Sequence, residues 1–183
     1  MKSLFLLYFL SAFHNHGPSL SHGRTEAMIH IHEGNLSLNG IAVDEKWSRK
    51  SFIAGLGPHE RTDSGIDIYD SKGIMLWRES KKEDEITEFM IVFKNDPKHT
   101  YSYTAKTLFT SKVVIEGKEI NGYTTYAELK KLLPQYNFEG NNINSLSHRG
   151  IYKKIYMYAQ HDESLQHLIF LAIGLDDDNS WDW

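Results

Sequence analysis

The densest run of side chains able to do chemistry is Pro58-His59-Glu60-Arg61-Thr62-Asp63-Ser64-Gly65, followed closely by Asp67 and Asp70. An imidazole beside carboxylates and a hydroxyl is raw material for acid–base or nucleophilic catalysis, which needs a carboxylate of shifted pKa held in a cleft. His59, Asp63 and Ser64 are close in sequence, but sequence proximity does not make a triad. Asp67 alternates with Ile66 and Ile68, and Asp70-Ser71-Lys72-Gly73 reads as a turn, so structural roles account for these residues. A hydrolase with an unfamiliar site around His59, Asp63 and Asp67 stays as an alternative. His30 and His32 lie at i, i+2, on one face of a strand, where two imidazoles could chelate a metal. The same spacing is that of a strand's polar face opposite Ile29 and Ile31, and no third ligand accompanies it. No G-x-S-x-G, H-E-x-x-H, phosphate-loop or dinucleotide motif occurs. The expectation is no catalytic residue, no cofactor and no metal.

The remaining candidate set is C-terminal. Asp176, Asp177, Asp178 and Asp182 could meet a basic partner surface, with Trp181 and Trp183 as aromatic anchors. A solvated acidic terminus that aids solubility is the plainer reading of the same residues. With a net charge of −4, the chain lacks the basic footprint of a nucleic-acid binder. Hydrophobic residues make up 40% and aromatic residues 13%, enough for a packed core and for aromatic contact surfaces. The absence of cysteine excludes disulfides, thiolate metal sites and cysteine nucleophiles.

The elements that must position these residues come in two matching series. Ile29 and Ile31 alternate with polar residues, Glu33-Gly34 supplies a turn, Leu36 and Leu38 return, and Asn39-Gly40 closes the pair. Asp44 is expected to cap a helix carrying Trp47, Phe52, Ile53 and Leu56, which Gly55 and Gly57-Pro58 end. Later, Val113 and Ile115 alternate, Glu116-Gly117 turns, Lys118-Glu119-Ile120 returns, and Asn121-Gly122 breaks the pairing. Thr125 and Glu128 form a T-x-x-E capping box for a helix striped by Leu129, Leu132 and Leu133 and stopped by Pro134. Three strands follow each helix: Ile66–Tyr69, Gly73–Trp77 and Ile86–Phe93 in the first series, and Asn141–His148, Gly150–Tyr158 and Leu165–Ile173 in the second. Tyr152, Tyr156 and Tyr158 would then share one face of one strand. Glu79 to Glu85 reads as a solvated hairpin loop. The expected fold is α+β, with two tandem β-β-α-β-β-β units, antiparallel sheets and one helix in each unit.

The units are 28–95 and 107–175, joined by a linker, 96–106, in which Tyr101 and Tyr103 alternate as in an edge strand. Residues 176–183 form an acidic, aromatic tail. Residues 1–27 stand outside the fold. Lys2 and the apolar run 3–13 resemble a signal peptide, with Ser19-Leu20-Ser21 as a cleavage region. The run is too short for a stable membrane span. The competing reading starts translation at Met28. The protein is periplasmic on the first reading and cytoplasmic on the second.

The series Leu36-Ser37-Leu38-Asn39-Gly40, then Gly55-Leu56-Gly57-Pro58-His59-Glu60-Arg61, then Tyr69-Asp70-Ser71-Lys72-Gly73-Ile74 and Leu76-Trp77 resembles an uncharacterised family of small bacterial domains. Ile115 to Gly122 looks like the family's usual continuation, so the resemblance covers roughly 28–175. The second unit lacks the Leu-Gly-x-Pro step. The resemblance implies no established activity, and standalone proteins of this kind are regarded as candidate antitoxins of interbacterial toxins. The function expected is binding without catalysis: an immunity-type protein that occludes a toxin, the partner being basic. An envelope structural module is the other alternative.

Overall fold

The structure is a computed structural model that describes residues 28–79, 82–95, 101–141 and 144–176. The leader reading (1–27) and most of the tail fall outside the described residues. Strands β1 (Ile29–His32), β2 (Asn35–Leu38) and β3 (Ile41–Ala42) lead into helix α1 (Arg49–Leu56). Then come β4 (Arg61–Asp63), β5 (Ile66–Tyr69), β6 (Ile74–Glu79) and β7 (Lys82–Val92). The second half runs β8 (Val113–Ile115), β9 (Lys118–Ile120), α2 (Tyr126–Leu132), a 3-10 turn at Pro134–Tyr136, β10 (Glu139–Asn141), β11 (Asn144–Tyr152), β12 (Ile155–His161) and β13 (Leu168–Leu175). The fold is α+β with mostly antiparallel sheets and two helices among the described residues, as expected.

Both halves contribute to both sheets. A five-stranded sheet has the order β3-β2-β1-β8-β9, and an eight-stranded sheet has the order β10-β11-β12-β13-β7-β6-β5-β4. One core lies between them, joining Ile29, Leu38 and Val113 of the small sheet to Leu76, Phe89, Met157 and Ile173 of the large one. Helix α1 adds Phe52 and Leu56, and α2 adds Leu129. Trp47 is 1% exposed and packs with Phe52 and Phe89 at centroid distances of 5.7 and 5.6 Å.

The turn chemistry is local. Glu33-Gly34, Asn39-Gly40, Ser64-Gly65 and Glu116-Gly117 each hold both residues at positive φ, the geometry that matches the twist of a two-residue hairpin. Asn121-Gly122 does not repeat this. Gly122 is absent from the positive-φ positions, and Asn121 Oδ1 instead accepts the Tyr123 N–H in a side-chain turn. Thr125 and Glu128 form the expected reciprocal capping box. The first helix departs from expectation at its start. Ser48 caps it, Trp47 precedes it at φ 51°, and the Asp44 carboxylate accepts from Ser48 one turn earlier.

The paired hairpins also differ in phase. Ile31 lies two residues before its turn glutamate, Glu33, whereas Ile115 lies directly before Glu116. β1 and β8 are parallel neighbours with Ile29 opposite Val113 and Ile31 opposite Ile115, so both apolar sets reach the same core. A one-residue offset reverses the face of every side chain in a strand, and this offset keeps the second hairpin's apolar side inward.

Three sequence expectations are corrected. Gly150 to Tyr158 is not one strand: Lys153, at φ 55°, turns the chain, and Tyr152 pairs with Ile155 across the hairpin. Tyr152 therefore joins the core, while Tyr156 and Tyr158 face the other way. The charged stretch from Glu79 is largely strand, because β6 and β7 pair as far as Glu79 and Lys82. Tyr101 and Tyr103 form no strand; their rings stack at 5.0 Å.

Candidate binding face

The large sheet buries residues on both of its faces. On β5, Asp67 and Tyr69 point inward, while Ile66 and Ile68 point outward with Met75, Val92 and Ala105. The outward residues fall into cross-strand rows. One row runs Ile66, Trp77, Glu88, Gly174, Tyr156, Ile151. The next runs Ile68, Met75, Met90, Ala172, Tyr158, Arg149. Over β5 and β6 this face is covered by the segment after residue 100. Ala105 is 3% exposed there, and Tyr103 meets Trp77 edge to face at 6.3 Å. Arg61 holds that segment, donating to the Ser102 and Thr104 carbonyls while paired with Asp70 at 2.8 Å.

The middle of the face is different. Ala172 and Gly174 are small, so larger side chains from neighbouring strands lean over β13. A Cβ on Gly174 would lie 2.4 Å from the Tyr156 ring, so only glycine lets that ring cross the strand. The Tyr156 hydroxyl then donates to Glu88 Oε2 at 2.7 Å. Glu88 is half-buried, and burial raises its carboxyl pKa, opposed only by the hydrogen bond from Tyr156. Among the described residues no cation pairs with it. Arg149 sits 5.5 Å over the Tyr156 ring, Tyr158 stacks with Phe170 at 6.0 Å, and Ile151 is 39% exposed. The result is a sheet face carrying Trp77, Tyr156, Tyr158 and Phe170, packed closely enough in its middle that Tyr156 is 5% and Ala172 2% exposed.

The sequence candidates fall elsewhere. His59 and Asp67 do come together, with His59 Nε2 3.6 Å from Asp67 Oδ1. Asp67 is 1% exposed, accepts from Arg49 Nε at 2.5 Å and Nη2 at 3.2 Å, and accepts from Thr62 at 2.9 Å. Burial alone would raise its pKa. The Arg49 and Thr62 hydrogen bonds outweigh that and hold the carboxyl below its usual range. Asp63 pairs with Ile66 rather than with Asp67, so it faces away from the other two and bonds Ser64. The three residues of the hydrolase reading do not converge. Asp67 instead ties β5 to the first turn of α1. Asp67→Ala is expected to cost about 2 kcal/mol in urea denaturation, below the roughly 3–5 kcal/mol for breaking a fully buried pair, because Arg49 is partly exposed and can turn to water. A loss under about 0.5 kcal/mol would show that the pair does not hold α1.

His32 is largely exposed and lies 3.2 Å from Glu116, while His30 is half-buried on the same strand face. Among the described residues no group of three metal-type ligands forms. Of the tail set, Asp176 alone is described. Its N–H donates to the Lys154 carbonyl and its Oδ1 lies 3.5 Å from Arg149, at the edge of the aromatic face. Asp177, Asp178, Trp181, Asp182 and Trp183 lie outside the described residues. Sequence reasoning missed Glu88. The signal was a lone charge in the apolar run Ile86-Thr87-Glu88-Phe89-Met90-Ile91-Val92.

Residues 28–130 match the family described as Domain of unknown function (DUF7738). The chain belongs to that family. The DUF7738 match carries β1 to β7 and the covering segment, and ends inside α2, so Trp77 and Glu88 lie within it and Tyr156 beyond it. No curated protein sequence matches this DUF7738 chain. Among solved structures it is similar to an extracellular SCP-domain protein from Bacillus anthracis, at 8% identity and a TM-score of 0.45, over 71% of this chain and 43% of that one. It thus spans less than half the length of that protein. It is also similar to a DUF4309 family protein (YjgB) from Bacillus subtilis, at 14% identity and a TM-score of 0.41, over 74% of this chain and 82% of that one. No helix among the described residues is long and apolar enough to cross a membrane.

Proposed function

We propose that this DUF7738 protein is a non-catalytic binding module, an immunity-type protein that occludes a basic bacterial toxin. The observation that carries the reading is the outward face of the large sheet, where Trp77 is the cross-strand neighbour of Glu88, the Tyr156 hydroxyl bonds Glu88, and Tyr158 and Phe170 stack farther along the same face. Aromatic side chains on a rigid sheet supply contact area at low conformational cost, and a carboxylate among them favours a positively charged partner. Asp176 lies beside Arg149 at the edge of the same face, and Asp177, Asp178, Trp181, Asp182 and Trp183 are proposed as further contacts on chemical grounds, four carboxylates with Asp176 and two aromatic anchors. In this reading the scaffold is one unit used twice. Tyr69 with Ile74 and Tyr152 with Ile155 close corresponding hairpins, and Phe89 pairs with Ile173 where the two halves meet.

The test is co-expression with the product of the neighbouring gene. The expected result is that this product arrests growth alone, that the protein restores growth, and that the purified pair forms a stoichiometric complex weakened by salt. A neighbouring product that is harmless, or whose toxicity the protein leaves untouched, would sink the reading.

A further inference from the structure

We infer that the segment 121–138, which carries α2, is an acid-released flap: protonation of the His148–His161 pair beneath it lifts the segment off the large sheet while the rest of the fold stays closed. This is independent of the binding role proposed above. His148 on β11 and His161 on β12 lie on the inward side of the large sheet, among Met157 and Ala159 of the core. Their ring centres are 5.6 Å apart, and Tyr126, the first residue of α2, roofs both, at 3.4 Å from His148 and 6.0 Å from His161. The polar side chains buried beside them are taken up with one another: Ser147 donates to Gln160, and Gln160 donates to the His161 carbonyl.

Among the described residues, five buried side-chain atoms have no hydrogen-bond partner, and four of them lie in or under this segment: Nδ1 and Nε2 of His148, Nδ1 of His161 and the Tyr136 hydroxyl. Each would gain hydrogen bonds to water on opening, so the segment is seated less firmly than Leu129, Leu133 and Phe138 alone would seat it. Its start is tied to the 162–168 stretch by Leu168 N–H to the Gly122 carbonyl at 3.0 Å and Tyr126 N–H to the Leu165 carbonyl at 3.3 Å. The side-chain turn at Asn121 precedes it, and Asn137, at φ 48°, turns the chain near its end. The charged groups around the pair give a proton no partner. Lys130 of α2 sits 5.5 Å over the Tyr126 ring and adds positive charge. Glu128 is engaged by Thr125, and Asp162, beyond His161, is engaged by Lys94 at 2.9 Å and His167 at 2.8 Å. An imidazolium on either ring thus meets neither an acid nor water while Tyr126 is in place, and opening supplies the water.

The test is amide hydrogen exchange of the full chain in steps from pH 7 to pH 4.5, corrected for the intrinsic pH dependence of exchange. The expected result is that protection of residues 124–136 falls by about a hundredfold, because the open segment leaves an ordinary imidazole to take the proton that the closed one refuses. Amides of β7 and β13 should stay protected at pH 4.5, and the segment should regain its protection on return to pH 7. His148→Phe, which keeps a ring under Tyr126, should cut the fall to less than about tenfold, the share left to His161. Loss of protection in β7 and β13 together with the segment would overturn the proposal, since the histidines would then loosen the whole fold. So would a segment that stays protected at pH 4.5, or one that opens equally in a folded His148→Phe. Should that variant fail to fold, NMR titration of the His148 imidazole in the unaltered chain decides the matter. Its protonation must follow the opening of the segment, and a His148 that takes up its proton while the α2 amides stay protected would refute the flap.

Discussion

Between pH 6.5 and pH 4, the protein is expected to lose roughly 3 kcal/mol of stability through His148 alone. His148 is 3% exposed on β11, its ring stacked 3.4 Å from that of Tyr126 at the start of α2. His161, 0% exposed on β12, has its ring centre 5.6 Å away. Among the described residues, both nitrogens of His148 and Nδ1 of His161 have no hydrogen-bond partner, while His161 Nε2 meets the Thr124 carbonyl at 3.3 Å. An imidazolium there would sit unpaired in the core. Burial first, then His161 and Lys130, bring the His148 pKa down from 6.5 to about 4. The His161 pKa is lowered too, chiefly by burial, against the pull of Thr124 and Asp162. The unfolded chain therefore takes up its proton before the folded one. Stability is full above about pH 6.5, falls as pH drops, and has lost this contribution below about pH 4.

Glu88 works in the opposite sense. Its raised pKa adds stability as pH falls through its folded value, and this offsets part of the loss. Urea unfolding at pH 7 and pH 4 measures the sum. His148→Phe keeps a ring against Tyr126 and removes the titration, so its loss over that interval should be smaller by about 3 kcal/mol. An unchanged loss would mean that His148 gains a partner or water on protonation, against its buried, unpaired state.

Gly73→Ala is expected to destabilise by roughly 2–5 kcal/mol, combining about 1–2 for a left-handed residue with about 1–3 for overpacking. Gly73 has φ 69°, a conformation that a Cβ disfavours. The added Cβ would also lie 2.3 Å from the Phe109 nitrogen and 2.7 Å from the Leu108 carbonyl carbon, both backbone atoms. They have little room to retreat. Phe109 N–H donates to the Val92 carbonyl at 2.7 Å, Val92 N–H donates to Gly73 at 2.9 Å, and the Phe109 ring packs on Phe93 at 5.8 Å. Gly65 supplies the control, because its φ is 83° but nothing lies within 4 Å of its Cβ position. Gly65→Ala should cost only the conformational share, about 1 kcal/mol. Equal melting temperatures for the two variants would refute the close approach.

Asp70-Ser71-Lys72-Gly73 was legible as a turn from residue types alone, but nothing local says that residues 108–109 cross over it. The same division runs through the molecule. Glu33-Gly34 and Glu116-Gly117 read correctly as hairpin turns, and Thr125 with Glu128 as a cap, because each depends on atoms a few residues apart. The start of α1 was misplaced because Ser48 and Asp44 are both good caps, and burial of Trp47 beside Phe89 settles which of them starts the helix. The phase difference between the two hairpins was present in the spacing of Ile31 and Ile115 from their turns. Its meaning required knowing that β1 and β8 lie side by side.

The residues of interest were the hardest to read. His148 belongs to a stretch that is polar in sequence, yet pairing with Ala159 turns it under α2. Glu88 acquires its setting from Trp77, eleven positions earlier, and from Tyr156, in the other half of the chain. Residue identity thus determined the turns, the caps, the alternation of strands and the lack of any familiar catalytic motif. Strand pairing between distant segments decided which polar side chains are buried and which aromatics share a face. A strand's own sequence specifies that its side chains alternate, whereas its neighbours decide what each of the two sides will meet.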